Sequence, residues 1–234
     1  MTFHNLDVST GFYEIDSMLG GLKRGQTYLL GSRPGMGKTA FALCIVNNLV
    51  LHEKRTVVYF SPAERDDGRF CEAWEKTVGA NVFIDNTPDI SVDMILETCS
   101  LVSKPIDLIV VDYLQLVVQR NPVNGSYYSE FQICQLLSDV ADKFNCPVLI
   151  LSQLSRTCEL REDHHPVKKD LTDSMIDMAV DNIFFLFRDD YYNEDSLYLN
   201  IAEFYIAKEE YSSMDDSAIL VWLPEYCVFC SVDR

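Results

Sequence analysis

The sequence predicts an α/β domain built on a mostly parallel, doubly wound sheet, and three observations carry that expectation. Short apolar runs rich in β-branched and aromatic residues alternate with segments of helical spacing. One of those runs leads into a glycine-rich turn, Gly31 to Thr39, that opens onto a helix-forming segment. A chain of 234 residues, 48% hydrophobic, is long enough to bury one sizeable sheet but cramped for two full domains.

Taken in order, the runs Thr27 to Leu30, Thr56 to Phe60, Leu108 to Val111, Val148 to Leu151 and Ile183 to Phe187 read as strands buried on both faces, because they are apolar throughout rather than alternating. Between them, Thr39 to Leu51, Arg65 to Val78, Val92 to Val102 and Glu130 to Phe144 carry the spacing of amphipathic helices. After Asp190 the character changes. Ile201 to Ala207, Ala218 to Leu223 and Tyr226 to Val232 read as strands joined by short acidic turns, an antiparallel extension at one edge of the sheet. There is no internal repeat, low-complexity tract or Pro/Ser-rich linker, so residues 1–234 are expected to form one continuous domain.

Composition narrows the function classes. Met1 to Thr10 has no basic flank followed by an apolar core, and no apolar run reaches the roughly 18 to 20 residues that span a bilayer, so a cytoplasmic protein without a membrane partner is expected. The eight cysteines are scattered, and Cys44, Cys134 and Cys146 sit in apolar segments as buried thiols. Cys227 and Cys230 form the one C-x-x-C. Zinc would need a second pair or matching histidines, and His164 with His165 is an adjacent pair on a charged loop, so these cysteines are assigned to the last strand. The net charge is −17, and residues 157–234 hold 6 Lys or Arg against 18 Asp or Glu. That balance opposes any grip on a phosphate backbone.

The segment Gly31-Ser32-Arg33-Pro34-Gly35-Met36-Gly37-Lys38-Thr39, between a strand and a helix, is a Walker A loop with Ser32 where the strict pattern has glycine. Gly35 and Gly37 let the backbone curl with its N–H groups inward, and the positive end of the following helix adds to the field for phosphates. Residues 32–40, Ser32 through Ala40, are therefore the candidate nucleotide-binding residues. Lys38 should reach the β- and γ-phosphates, and Thr39 should offer its hydroxyl to Mg²⁺. Four apolar residues, Leu108 to Val111, deliver Asp112 to the carboxyl edge of the sheet, where it becomes the second candidate magnesium ligand. ATP and Mg²⁺ are the expected cofactors.

The pieces Ser9-Thr10-Gly11-Phe12, Leu19-Gly20-Gly21-Leu22, Arg33 to Phe41, Ile84 to Pro88, Val111-Asp112-Tyr113-Leu114-Gln115, Leu151 to Arg156 and Phe187-Arg188-Asp189 resemble the C-terminal motor domain of DnaB-type replicative helicases across nearly the whole chain. The resemblance implies a RecA-like P-loop fold, a hexameric ring with ATP between subunits, and translocation on single-stranded DNA. It implies that Gln153 senses the γ-phosphate and relays it to DNA-facing loops, a task that suits an uncharged amide able to donate and accept. Arg188 and Tyr191, near the end of the fifth strand, are candidates for the base.

Three departures stand beside the matches. Where the family has F-S-L-E, this chain has Phe60-Ser61-Pro62-Ala63, so alanine holds the place of the glutamate that polarises the attacking water. Glu64, one residue later, substitutes only if the Pro62 turn re-aims it. Where the family has a late K-Q-R-N-G strand, Lys208 is retained and Glu210 stands at the arginine finger. Where the family has basic helices and an R-E-S-G loop toward the ring channel, this chain has Glu97 to Ser103, a helix over 129–144 with only Lys143, and Leu171-Thr172-Asp173-Ser174-Met175. Arg120, Lys168 and Lys169 remain for DNA. Nor is a helicase N-terminal domain or its linker helix expected in these residues.

Two functions are open at this point: an ATP-dependent DNA helicase motor, or an ATP-binding paralogue with weakened hydrolysis and DNA binding, acting as a regulatory or assembly subunit beside an intact helicase. A KaiC-like or recombinase ATPase is a third class, against which the 112–115 and 152–154 signatures speak.

Overall fold

A computed structural model describes residues 7–61, 81–207 and 217–232. Nine strands form one sheet: β1 (Thr27–Ser32), β2 (Val57–Phe60), β3 (Val82–Asp85), β4 (Leu108–Asp112), β5 (Val148–Gln153), β6 (Asn182–Phe187), β7 (Ile201–Ile206), β8 (Ser217–Leu223) and β9 (Val228–Ser231), in the order β3-β2-β4-β5-β1-β6-β7-β8-β9. The pairs from β3 to β6 are parallel, and the three that add β7, β8 and β9 are antiparallel. The mostly parallel sheet with an antiparallel edge extension is thus the observed fold.

Helices cover both faces because the central strands are apolar on both. Ile109, Val111 and Ile150 pack with α3 (Val92–Leu101) and α4 (Glu130–Phe144), while the alternate residues Leu108, Val110 and Leu151 pack with α1 (Tyr13–Leu19) and α2 (Lys38–Asn47). α4 buries Ile133, Cys134, Leu137, Val140 and Ala141 along one stripe, starts in a Ser129/Gln132 capping box and stops at Asn145 in the left-handed region.

Several boundaries differ from expectation. The predicted helix over 39–51 is α2 followed by a π-helical turn, Asn48–His52. The last strand begins at Val228 because Leu223 to Cys227 form the turn that reverses it, with Tyr226 N–H donating to the Leu223 carbonyl at 3.1 Å. α1 and β3 add to the expected elements. β3 is a four-residue edge strand with Phe83 and Ile84 partly exposed, so it lacks the signature of a buried run. α1 is seven residues long and anchored by the buried Asp16 carboxylate, which accepts from Ser9 Oγ at 2.6 Å and from Thr10 N and Oγ1, each at 2.9 Å. The predicted helix over 65–78, and the positions Ala63, Glu64, Lys208 and Glu210, lie outside the described residues.

Candidate functional site

β1 ends at Ser32 and α2 begins at Lys38, so the loop between them stands at the carboxyl edge of the sheet beside the ends of β4 and β5. Gly35 and Gly37 have φ of +83° and +98°, conformations that side-chain-bearing residues rarely adopt. Both also lack room: a Cβ on Gly35 would lie 2.7 Å from the Tyr191 ring, and one on Gly37 2.8 Å from that of Phe229. Glycine is therefore required twice over in the curl of this loop.

Lys38 is folded back along the loop, with Nζ donating to the Ser32 carbonyl at 2.9 Å and to Ser32 Oγ at 3.1 Å. Thr39 Oγ1 donates to Asp112 Oδ2 at 2.8 Å, and Tyr59 Oη donates to the same oxygen at 2.7 Å. A hydroxyl and a carboxylate brought together at the mouth of a phosphate loop are hard oxygen donors of the kind magnesium takes. The residues fit that ion: Thr39 and Asp112 would hold it, and it would supply positive charge to offset that of phosphate oxygens.

A cavity of about 670 Å³ opens beside this loop, large enough for a small-molecule ligand. Of the candidates, Pro34, Gly35, Gly37, Lys38, Thr39, Ala40, Asp112 and Gln153 line it. Ser32, Arg33, Met36 and Arg188 do not. Met36 points into the core at 1% exposure. Arg33 turns away to Glu159 (Nε to Oε1, 2.8 Å) and to the Leu154 carbonyl (2.7 Å), so it braces the loop against the chain after β5. Arg188 pairs with Asp190 and lies over the Trp222 ring, 5.0 Å from its centroid, one layer behind the cavity wall.

Sequence reasoning missed the far wall. Trp222, Tyr226, Cys227 and Val228, from the β8–β9 hairpin, face Leu43, Cys44 and Asn47 of α2 across the cavity. The α2 residues carry a readable signal, since 40, 43, 44 and 47 fall on one face of a helix that starts at the loop. The hairpin carries none, because nothing local marks it as touching residues near the other end of the chain. Burial pushes the Cys44 thiol up to about 11, although it accepts the Phe229 N–H at 3.4 Å.

Gln153 ends β5 in register with Ser32, and its backbone N–H donates to Gln115 Oε1 at 3.0 Å. Of the cations left for DNA, Arg120 stacks on Tyr127, 4.5 Å from the ring centroid, and Lys168 lies 3.9 Å from Asp177.

The chain matches the family described as DnaB-like helicase C terminal domain over residues 7–67 and 63–231. It belongs to that family. Relatives include the replicative DNA helicase DnaB of Geobacillus stearothermophilus, 32% identical over 268 residues covering 99% of this chain and 59% of that protein. Another is the replicative DNA helicase DnaC of Bacillus subtilis, 30% identical, covering 97% and 57% respectively. The chain thus spans somewhat over half the length of these curated DnaB-like relatives. Among solved structures, a DnaB-like replicative helicase studied for its interactions with primase superposes with a TM-score of 0.81 at 29% identity, covering 97% of this chain and 62% of that one. A separately solved ATPase domain gives the same score at 28% identity, covering 97% and 91%. The RadB recombinase shares the fold alone, with a TM-score of 0.64 at 15% identity, covering 97% and 100%.

Proposed function

We propose that this DnaB-like domain is a single RecA-like motor unit that binds ATP with Mg²⁺ in the cavity beside residues 31–39. The Thr39–Asp112 contact carries the reading: a Walker A hydroxyl and a strand-end carboxylate meet at 2.8 Å on a cavity that Lys38 also lines. Lys38 would leave the Ser32 carbonyl for the β- and γ-phosphates, the amides at the start of α2 would face the same oxygens, and Thr39 with Asp112 would hold the metal directly or through its water. Gln153, which lines the cavity, would respond to the γ-phosphate, as the family resemblance implies.

The family implies ATP-driven translocation on single-stranded DNA within a hexameric ring, and that is the activity proposed for a complete protein containing this domain. A second reading is favoured by the charge. With a net charge of −17 and Glu210 at the finger position, the chain would hold ATP as a regulatory or assembly subunit while an intact helicase moves along DNA.

Lys38→Ala tests the site. Removing a charged donor to phosphate costs about 1.5–3 kcal/mol, so titration with ATP·Mg should show affinity weakened roughly 10- to 100-fold. An unchanged dissociation constant would remove the site assignment.

A further inference from the structure

We propose that Gln115 is a positioning residue through which the nucleotide-facing end of β5 sets the segment 171–178; the inference rests on the nucleotide site proposed above. The side-chain amide of Gln115 sits at a junction of four groups. Its oxygen accepts the Gln153 backbone N–H at 3.0 Å. Its nitrogen donates to Glu130 Oε2 at 2.9 Å and to Ser152 Oγ at 3.0 Å, with Thr172 Oγ1 at 3.3 Å sharing those two hydrogens. The orientation of the amide is fixed by chemistry: a backbone N–H only donates and a carboxylate only accepts, so the reversed amide would lose both bonds.

Both ends of this junction lead somewhere. On the nucleotide side, Leu154 N–H donates to the Ser32 carbonyl at 3.2 Å, the same oxygen that receives Lys38 Nζ, and Arg33 holds the Leu154 carbonyl. A displacement of Lys38 toward phosphates therefore changes the load on the strand end that Gln115 grips. On the far side, Thr172 donates to Glu130, and Asp173 Oδ2 accepts the Phe131 N–H at 3.2 Å, so 172–173 is fastened to the first turn of α4. Beyond it the chain has one buried anchor, Ile176, and presents Met175 and Met178 to solvent. Apart from the core residues Leu171 and Ile176 the segment is held by hydrogen bonds and largely faces solvent, so its outer part can respond to a change at its tether.

Hydrogen exchange followed by mass spectrometry on the 234-residue chain tests this, with a non-hydrolysable ATP analogue and Mg²⁺ as the probe, on the native sequence and on Thr172→Val. That substitution keeps the shape of an exposed side chain and removes the hydroxyl, so the fold and the 31–39 loop are untouched. The expected result is that nucleotide slows exchange about fivefold or more in both 31–39 and 171–178 of the native chain, but only in 31–39 of the variant. Protection of 31–39 with no change at 171–178, or equal protection of 171–178 in both proteins, overturns the relay and leaves the nucleotide site standing. Absence of protection at 31–39 in the native chain overturns the nucleotide site and the relay together.

Discussion

Thr39 and Asp112 are separated by 73 positions, yet their side chains share one hydrogen bond, and each depends on neighbours chosen for geometry. Gly35 is the sharpest case. Its φ of +83° would strain alanine by about 1 kcal/mol, and the added methyl would meet the Tyr191 ring at 2.7 Å. Gly35→Ala should therefore lower ATP·Mg affinity about tenfold by tilting the loop amides. Adding Tyr191→Ala should recover only part of that loss, since it relieves the collision and leaves the backbone strain. Titration of the single and double variants decides the point: full recovery would assign the whole effect to Tyr191, and no recovery would assign it to the backbone. The motif announces these glycines locally, whereas Tyr59, whose hydroxyl reaches Asp112 at 2.7 Å, looks from sequence like one more apolar strand residue.

At the scale of elements, the strand ends opposite the nucleotide edge are tied by one carboxylate. Burial alone would raise the Asp107 carboxyl, but the Thr56 N–H and the Arg24 and Arg55 guanidiniums hold it below its ordinary value. A folded-state value below the unfolded one means this contribution is fully present above about pH 4 and fades as pH falls through the folded value. Asp107→Ala should cost about 2 kcal/mol at neutral pH, and the gap between variant and native stability in denaturant melts should close on acidification below pH ~4. A gap that stays constant with pH would mean that packing, not charge, is what Asp107 supplies. The same elements show what sequence makes readable. β4 is buried on both faces at every position, so its apolar run has one interpretation. β3 and α1 are short and depend on partners elsewhere: β3 on pairing with β2, α1 on the Asp16 bonds and on Phe12 stacking against Phe41 at 5.1 Å. The Asp16 bonds reach back only six or seven residues, but the β2 strand and Phe41 are distant in sequence, and no local pattern carries those contacts. The Trp222 side of the cavity is hidden for the same reason.

The whole molecule is acidic where a DNA motor is expected to be basic. Eighteen carboxylates against six cations in residues 157–234 must work against any phosphate backbone brought near that third of the chain. Single-stranded oligonucleotide binding, followed by fluorescence anisotropy, should show a shallow dependence of log affinity on log salt, with a slope magnitude under about 3, corresponding to fewer than about four neutralised phosphates. A steep slope would reveal a basic track that this charge distribution hides. Hydrolysis should be limited for an independent reason, and this is where the two functional readings part. By the resemblance to the family's sequence pattern, Ala63 stands at the position of the water-polarising carboxylate and Glu210 at that of the arginine finger, whose task is to neutralise the γ-phosphate. A finger alone is worth about 10³ to 10⁵ in rate, and a positioned base about 10² to 10⁴. Steady-state ATP turnover should accordingly lie at least about 10³-fold below that of an intact DnaB-like helicase assayed in parallel, and single-stranded DNA should not raise it. DNA-stimulated turnover at the intact enzyme's rate would show that Glu64 and another cation have taken over both tasks, and would return the domain to the translocating motors. Tight ATP binding with the expected slow turnover would instead make the nucleotide a structural ligand, one that holds the 171–178 segment and the rest of this edge in a single arrangement for a partner to recognise.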